Sequence, residues 1–542
     1  MFGQLAGIAA ALGASLGLSP TSPQDQVHQV AIIGAGPAGS SAAYHIHKYA
    51  EEAGVEVNIT LFEKEDRIGG RTLTVPAYGD GEPVELGASI FIEMNHIMYN
   101  ATQEFGLTPT APGSGDDDAG GALGIWDGGQ FVFTMDEGSS RWWNLAKLFW
   151  KYGMAPYKTQ KVMESTVGSF LQMYSRPHFP FKSLTEVAMN LGLTEITGST
   201  GEQFLKSHSI GDAYAHDIVQ ASTRVNYASN IGYIHGLEAM VAMAPEGALQ
   251  IDGGNWQIFD RMVKKSGANV YLGSAVSSVD RHTKDTKSTF SLKQKGEEGD
   301  ETYDVTFDDV VIATPFQYSG IQLANEGETM EETIDEIPYA DLRVTLFTSP
   351  LRLDPIFFGM PVGSEAPTTI LTTLAKDDEQ AVFPKGAGKA GFYSISTLRN
   401  TTNPKTQQEE FIYKIFSPAE VTAEFLSKLL GTKIPDSFTG INPEDPDTEP
   451  ISWYYPHKFH AYPIAYPRVT FQEPVLAPGL YYTSGMESFI STMETNALSG
   501  MNIAKLIVDE VVASMPKKTE EEKAKEGEQK VLSNEIDRNS EL

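Results

Sequence analysis

The 542-residue chain contains no cysteine. That absence excludes disulfides, thiolate metal ligands and a cysteine nucleophile together, and any electron transfer must be done by a bound cofactor. No metal site is expected. Basic residues are scarce, 40 Lys and Arg against 71 Asp and Glu, for a formal charge of -31. A field of that sign repels phosphate backbones, which argues against nucleic acid as a partner. It also opposes docking on an anionic membrane by net charge alone. Long hydrophobic runs are missing as well. The uncharged stretch Leu5–Leu18 (LAGIAAALGASLGL), at 14 residues, is too short to span a bilayer and suits a signal-peptide core. No later stretch is apolar enough to cross a membrane. We therefore expect the secretory pathway, ending in the vacuole, the lysosome or outside the cell, with the cytoplasm as the alternative. Sequons at Asn58, Asn100 and Asn400 agree with a glycoprotein, although Asn58 falls in a strand pattern and is a poor acceptor.

What is present divides the chain into several substructures, as its length requires. Residues 1–26 read as signal segment and linker, and 27–94 as the first part of a nucleotide-binding domain. Residues 95–244 form a mostly helical cap region with aromatic clusters such as RWWNLAKLFWKYG. A β-rich second nucleotide-binding part covers 245–320, with KGEEGDE (Lys295–Glu301) as a hairpin loop. A mixed substrate region spans 321–474, a third nucleotide-binding part 475–514, and a charged, disordered tail 515–542. The Gly- and Asp-rich piece Ala111–Ala122 is a loop by composition. No internal repeat is apparent.

The chemistry begins at QVAIIGAGPAGSSAAYHI (Gln29–Ile46). A continuous apolar strand meets Gly34-Ala35-Gly36-Pro37-Ala38-Gly39 and then a helix ending at Gly54. Gly34 allows a tight turn, Gly36 lets backbone approach a pyrophosphate, and Gly39 lets the helix pack closely on the strand. The helix start offers free N–H groups and positive partial charge to phosphate. The next strand ends in Glu63, followed by Lys64, and an acid there accepts hydrogen bonds from an unphosphorylated ribose. FAD or NAD is favoured over NADP. Directly afterwards, Gly69 and Gly70 permit close backbone approach and Arg71 supplies fixed positive charge for phosphate.

EKEDRIGGRTLT resembles the flavin-dependent amine-oxidase and glutathione-reductase-like superfamily, in which this arrangement holds FAD pyrophosphate. The resemblance extends to VELGASIFI, whose Gly87, Ala88 and Ser89 would approach the flavin. It includes VVIATP with Thr314, and Val276, which would sit in the strand contacting adenine. In GLYYTSGMESFISTMETNALSG it places Gly485 and Glu487 near the pyrophosphate and ribityl chain. A helix from about Thr492 and Met493 would direct its positive end at the flavin N1/C2=O edge. The implied fold is an α/β, Rossmann-type FAD-binding domain with a discontinuous mixed α+β substrate domain.

RVNYASNIGYIHGLEAMVAMAP, IDGGNWQIFDRMVKKSGANVYLGSAVSSV and SWYYPHK narrow the resemblance to the prenylcysteine oxidase (prenylcysteine lyase) family, from about Val27 to Val508. That family implies an FAD-dependent thioether oxidase. Hydride leaves the prenyl carbon bonded to sulfur, water captures the sulfur-stabilised cation, and the hemithioacetal collapses to cysteine and a prenyl aldehyde. Dioxygen reoxidises the flavin and yields hydrogen peroxide. Trp142, Trp143, Phe149, Trp150, Met240 and Met243 are candidate walls for the isoprenoid, or else ordinary core. Arg224, Asn226, Tyr227 and His457 are candidates for holding the amino-acid end or positioning water, or else structural hydrogen-bond partners. Lys458 reads as a solvated charge. Two other readings stand beside this one: an FAD-dependent oxidase or cyclase acting on another prenylated small molecule, and a non-catalytic prenyl-binding chaperone of the kind formed by GDP dissociation inhibitors. Glu63→Ala is expected to weaken FAD binding by about 1.5–3 kcal/mol through loss of the ribose hydrogen bonds. Titration of apoprotein with FAD measures this, and unchanged affinity would place Glu63 elsewhere.

Overall fold

A computed structural model of the protein describes residues 27–112, 121–136, 141–284, 287–296, 299–324, 330–379, 381–440 and 450–515. The expected signal segment, the middle of the acidic loop and the charged tail lie outside the described residues. Strand β1 (His28–Ile33) runs into helix α1 (Pro37–Ala53) and strand β2 (Val57–Phe62). β1 forms because Val30–Ile33 is apolar throughout and is buried on both faces of a parallel sheet. α1 opens on Pro37, whose fixed φ suits a first turn, and closes on Gly54 in the left-handed region, φ 68°.

β1 is the centre of a six-stranded sheet in the order Val475–Ala477, Leu480–Tyr482, Asp309–Ile312, β1, β2, Asn269–Tyr271. All neighbours are parallel except the Val475–Ala477 edge. Ile33 stands opposite Phe62 on one side and Ile312 on the other. The carboxyl ends of three strands that are far apart in sequence therefore finish at one rim, where ligands bind in open α/β sheets. The helix Met493–Ser514 packs along α1, and a Cβ on Gly500 would stand 2.1 Å from the Ala38 carbonyl oxygen. The Ser41 hydroxyl donates to the Ala497 carbonyl across the same seam, at 2.6 Å.

A seven-stranded sheet forms the second body, in the order Trp453–Pro463, Tyr339–Ser349, Glu409–Ser417, Ser394–Thr402, Thr369–Thr372, Ala122–Trp126, Phe131–Asp136. The last two strands are a hairpin from the region expected to be mostly helical. It joins the sheet through parallel pairing of Ala122–Trp126 with Thr369–Thr372. A four-stranded sheet around Val276–Lys284 lies beside the first body. The expected KGEEGDE loop contracts, because its strands continue to Gly296 and resume at Gly299. Helices α2 (His96–Phe105), α3 (Arg141–Tyr152) and α4 (Ala155–Leu171) belong to the cap region. The fold is thus α/β at the nucleotide end and mixed α+β in the larger sheet.

Candidate functional site

The site assembles at the carboxyl rim of the parallel sheet. Gly34 has φ +107°, and a Cβ there would lie 2.7 Å from the Ala313 carbonyl oxygen and 3.5 Å from the Thr314 Cβ. A Cβ on Gly39 would stand 1.9 Å from the Gly34 carbonyl oxygen, so α1 can sit this close only without one. Gly36 is the N-cap of α1 and provides no side-chain cap, with Pro37 behind it and no acid in the first turn. Glu63 is buried at the end of β2. Its Oε2 accepts the Ala35 N–H at 2.7 Å and its Oε1 the Glu65 N–H at 2.9 Å. Each oxygen keeps a second lone pair for a ribose hydroxyl. Lys64 is exposed. Val276 is buried in the cluster that contains Ile33 and Phe62, and the chain just before it runs alongside Glu63, whose carbonyl accepts the Ser274 N–H.

Gly69 and Gly70 bring a second turn against the first. The Gly69 N–H donates to the Ala35 carbonyl at 2.9 Å, and a Cβ on Gly70 would stand 3.0 Å from the Gly36 Cα. Arg67, which sequence reasoning missed, donates through Nη2 to the Gly70 carbonyl at 2.8 Å, while its Nη1 is buried with no partner. A cationic donor without a partner beside an uncapped helix start fits a diphosphate. Arg71 is placed otherwise than expected. Its guanidinium is not an isolated charge but is held by Glu487, with Nη2 to Oε1 at 2.5 Å and Nη1 to Oε2 at 2.9 Å. Nη1 also donates to the Ala461 carbonyl at 2.6 Å, and the Tyr339 hydroxyl donates to Glu487 Oε2 at 3.1 Å.

The opposite wall comes from late in the chain. Gly485 and Glu487 are fully buried, and a Cβ on Gly485 would meet the Gln472 carbonyl oxygen at 2.6 Å. The helix expected from Thr492 begins at Met493, with Thr492 as its N-cap in a capping box with Thr495. Glu238 Oε1 accepts the Ser491 N–H at 3.0 Å just ahead of that cap, while its Oε2 is buried without a partner. Burial, reinforced by Glu487, pushes the Glu238 carboxyl up to about 8. Glu494, from the first turn of this helix, reaches across to accept the Ile97 and Met98 N–H groups at the start of α2.

Gly87, Ala88 and Ser89 run past the Gly-Gly-Arg turn, and a Cβ on Gly87 would stand 2.0 Å from the Arg71 carbonyl oxygen. Lys414, also missed, lies buried beneath them. Its Nζ donates to Ser89 Oγ at 2.7 Å and to the Glu85 carbonyl at 2.8 Å, and burial pulls its pKa down. Alternation along the interior strand Glu409–Ser417 gives no hint of this lysine, which is revealed only by its contacts with Glu85 and Ser89 from a distant segment.

The side chains proposed for substrate do not converge. Arg224 is fully buried, and its guanidinium is spent on Thr372 Oγ1, Asn230 Oδ1 and the carbonyls of Gly386 and Ala387. It is a structural hub, because every donor it has is already used inside the shell. Asn226 donates to the Ser222 and Ala242 carbonyls. Tyr227 is buried edge-on against Tyr462, ring centres 5.7 Å apart, and burial raises its hydroxyl pKa well above the ordinary value. His457 is half-buried over Phe459, its pKa lowered by burial and by the Arg67 charge. Lys458 pairs with Asp341 at 2.8 Å on the surface. Met240 is closed core, and Met243 packs against the same cluster. Trp143, Phe149 and Trp150 face outward, and Trp150 borders an open groove with Val132, Phe133, Thr134, Lys147 and Lys151. The Trp142 side chain lies outside what the structure describes.

These features define a Rossmann-type dinucleotide-binding protein, and residues 32–104 match the model of an NAD(P)-binding Rossmann-like domain. Residues 135–521 match the prenylcysteine lyase model, and the chain belongs to that family. It is 29% identical over 504 residues to a farnesylcysteine lyase from Arabidopsis thaliana, covering 89% of each chain. It is 27% identical over 512 residues to the human (Homo sapiens) prenylcysteine oxidase 1, covering 91% of each. Among solved structures, a cyclohexylamine oxidase from Brevibacterium oxydans shares the fold with a TM-score of 0.53 at 14% identity, over 90% of this chain and all of that one (100%). A putrescine oxidase variant does so with a TM-score of 0.53 at 15% identity, over 89% of this chain and 100% of its own.

Glu238 generates a pH prediction. Its carboxyl binds a proton more tightly folded, at about 8, than at its ordinary 4.5, so its contribution to stability is complete below the ordinary value. That contribution is lost as pH rises from there toward about 8. Glu238→Gln keeps the acceptor for Ser491 and removes the titration. Thermal melts across this range are expected to show the variant gaining on the wild type as pH rises. Parallel curves would contradict the burial.

Proposed function

We propose that the protein is an FAD-dependent oxidase that cleaves the thioether of prenylcysteines. Per turnover, farnesyl- or geranylgeranylcysteine, water and dioxygen give cysteine, the prenyl aldehyde and hydrogen peroxide. The observation that carries the reading is the near full-length likeness to a farnesylcysteine lyase, on a chain whose glycine turns, Glu63 and orphaned Arg67 nitrogen fit a dinucleotide. FAD, when bound, supplies the hydride acceptor and passes the electrons to dioxygen.

The chain's own residues bind and orient. Gly34 to Gly39 and the start of α1 receive the diphosphate, with Gly69, Gly70 and Arg67 on its other side. Glu63 takes the adenosine ribose. Gly485, Glu487, Thr492 and Met493 would hold the ribityl and ring end, with Gly87 to Ser89 on its other side. The Arg71–Glu487 pair fixes the distance between these two walls. Lys414 holds Ser89, and a buried amine with lowered pKa can take up or give a proton there. No nucleophile or metal is required by the bond changes, in keeping with the lack of cysteine.

Aerobic incubation with farnesylcysteine and geranylgeranylcysteine is expected to release peroxide and prenyl aldehyde in equal amounts. Turnover of another prenylated compound with none of these products would move the reading to a different substrate. A purified protein that binds prenyl groups without any FAD would support the chaperone.

A further inference from the structure

The surface of α3 and α4 departs from the rest of the molecule in both charge and exposure. From Trp143 to Met163 the chain carries Lys147, Lys151, Lys158 and Lys161 and not one acid, in a protein with 71 acidic residues. α3 turns Leu148 and Tyr152 inward onto two core clusters. Its other side, continued into α4, presents Trp150 at 93% exposure, Trp143 at 59%, Met154 at 55% and Tyr157 at 51%. Trp143 and Trp150 stand seven residues apart on α3, and Met154 and Tyr157 follow just beyond the turn at Gly153, φ 59°, so the four exposed side chains cluster where the two helices join. Large aromatic and thioether side chains in water at these exposures are costly, and singly exposed residues do not cluster in this way.

We propose that this face is a docking surface for an anionic lipid bilayer. Aromatic rings settle at the level of lipid headgroups, and lysines beside them can keep their ammonium groups in the headgroup layer while their stems lie on apolar surface. Charge complementarity selects the occupant. Lys151 is paired with Asp217 and Lys161 with Glu164, which leaves the four lysines in excess of the two acids they meet. The total charge of -31 opposes docking. At physiological ionic strength, however, charges more than about 8 Å away are screened, so the local cluster dominates at contact. The inference stands on exposure and charge and does not depend on the catalytic reading.

Flotation of the full chain with vesicles tests it. Binding is expected to vesicles of phosphatidylcholine with phosphatidylserine, and more weakly to phosphatidylcholine alone. Trp150→Ala with Met154→Ala is expected to lower binding at least about tenfold, with an unchanged thermal melt. Lys147→Gln with Lys158→Gln is expected to lower binding to the anionic vesicles alone, by about tenfold, and to flatten its salt dependence. The N-terminal apolar segment is common to all these chains, so the differences between them report this face. Equal flotation of variant and wild type, or none by the wild type, would overturn the proposal. So would a dimer in sedimentation that the Trp150 and Met154 substitutions dissolve, since the occupant would then be a second copy.

Discussion

The ion pair between Arg71 and Glu487 ties together residues 416 positions apart. Nη1 donates to Oε2 and Nη2 to Oε1, and the Ala461 carbonyl from the seven-stranded sheet accepts a further hydrogen bond from Nη1. One junction therefore links the Gly-Gly-Arg turn, the last nucleotide-binding segment and the substrate body. Glu487 is buried while the Arg71 side chain stays 32% exposed, so the pair gives up hydration on the carboxylate side and is better evidence for fixed geometry than for stability. It fixes the Gly-Gly-Arg turn against the segment that carries Glu487.

Around this junction the polar interior is arranged in layers. His235 and Glu238, from the segment IHGLE, hold the Ser488 carbonyl and the Ser491 N–H. Glu494 leaves the wall in the other direction and caps α2. The wall is thus held on both sides by buried carboxyls whose protonation is displaced upward by loss of water. Lys414 supports the opposite side through Ser89. The positions of these groups follow from packing of the two bodies against each other.

The short-range parts were legible in the residues themselves. A strand, three glycines, a helix and Glu63 lie within one βαβ unit, and local spacing dictates their geometry. Arg67 is harder to see than Arg71 because it precedes the Gly-Gly turn, and only its buried, unpartnered Nη1 marks it as a donor with capacity for a ligand. Arg71 and Glu487 were read as separate ligands, since nothing in spacing tells that two distant residues meet. The aromatic run after Arg141 shows the limit of periodicity. It reveals that α3 has an apolar face but not which way it looks, and Trp150 is 93% exposed at the edge of an open groove. Arg224 and Met240 were equally ambiguous by type, and burial settles both as framework.

If the chain holds FAD within reach of a prenylcysteine C–H bond, anaerobic mixing of the FAD-loaded protein with stoichiometric farnesylcysteine bleaches the visible flavin absorbance. Colour is expected to return on admission of air. A fully loaded protein whose spectrum is unchanged by the thioether would contradict that placement.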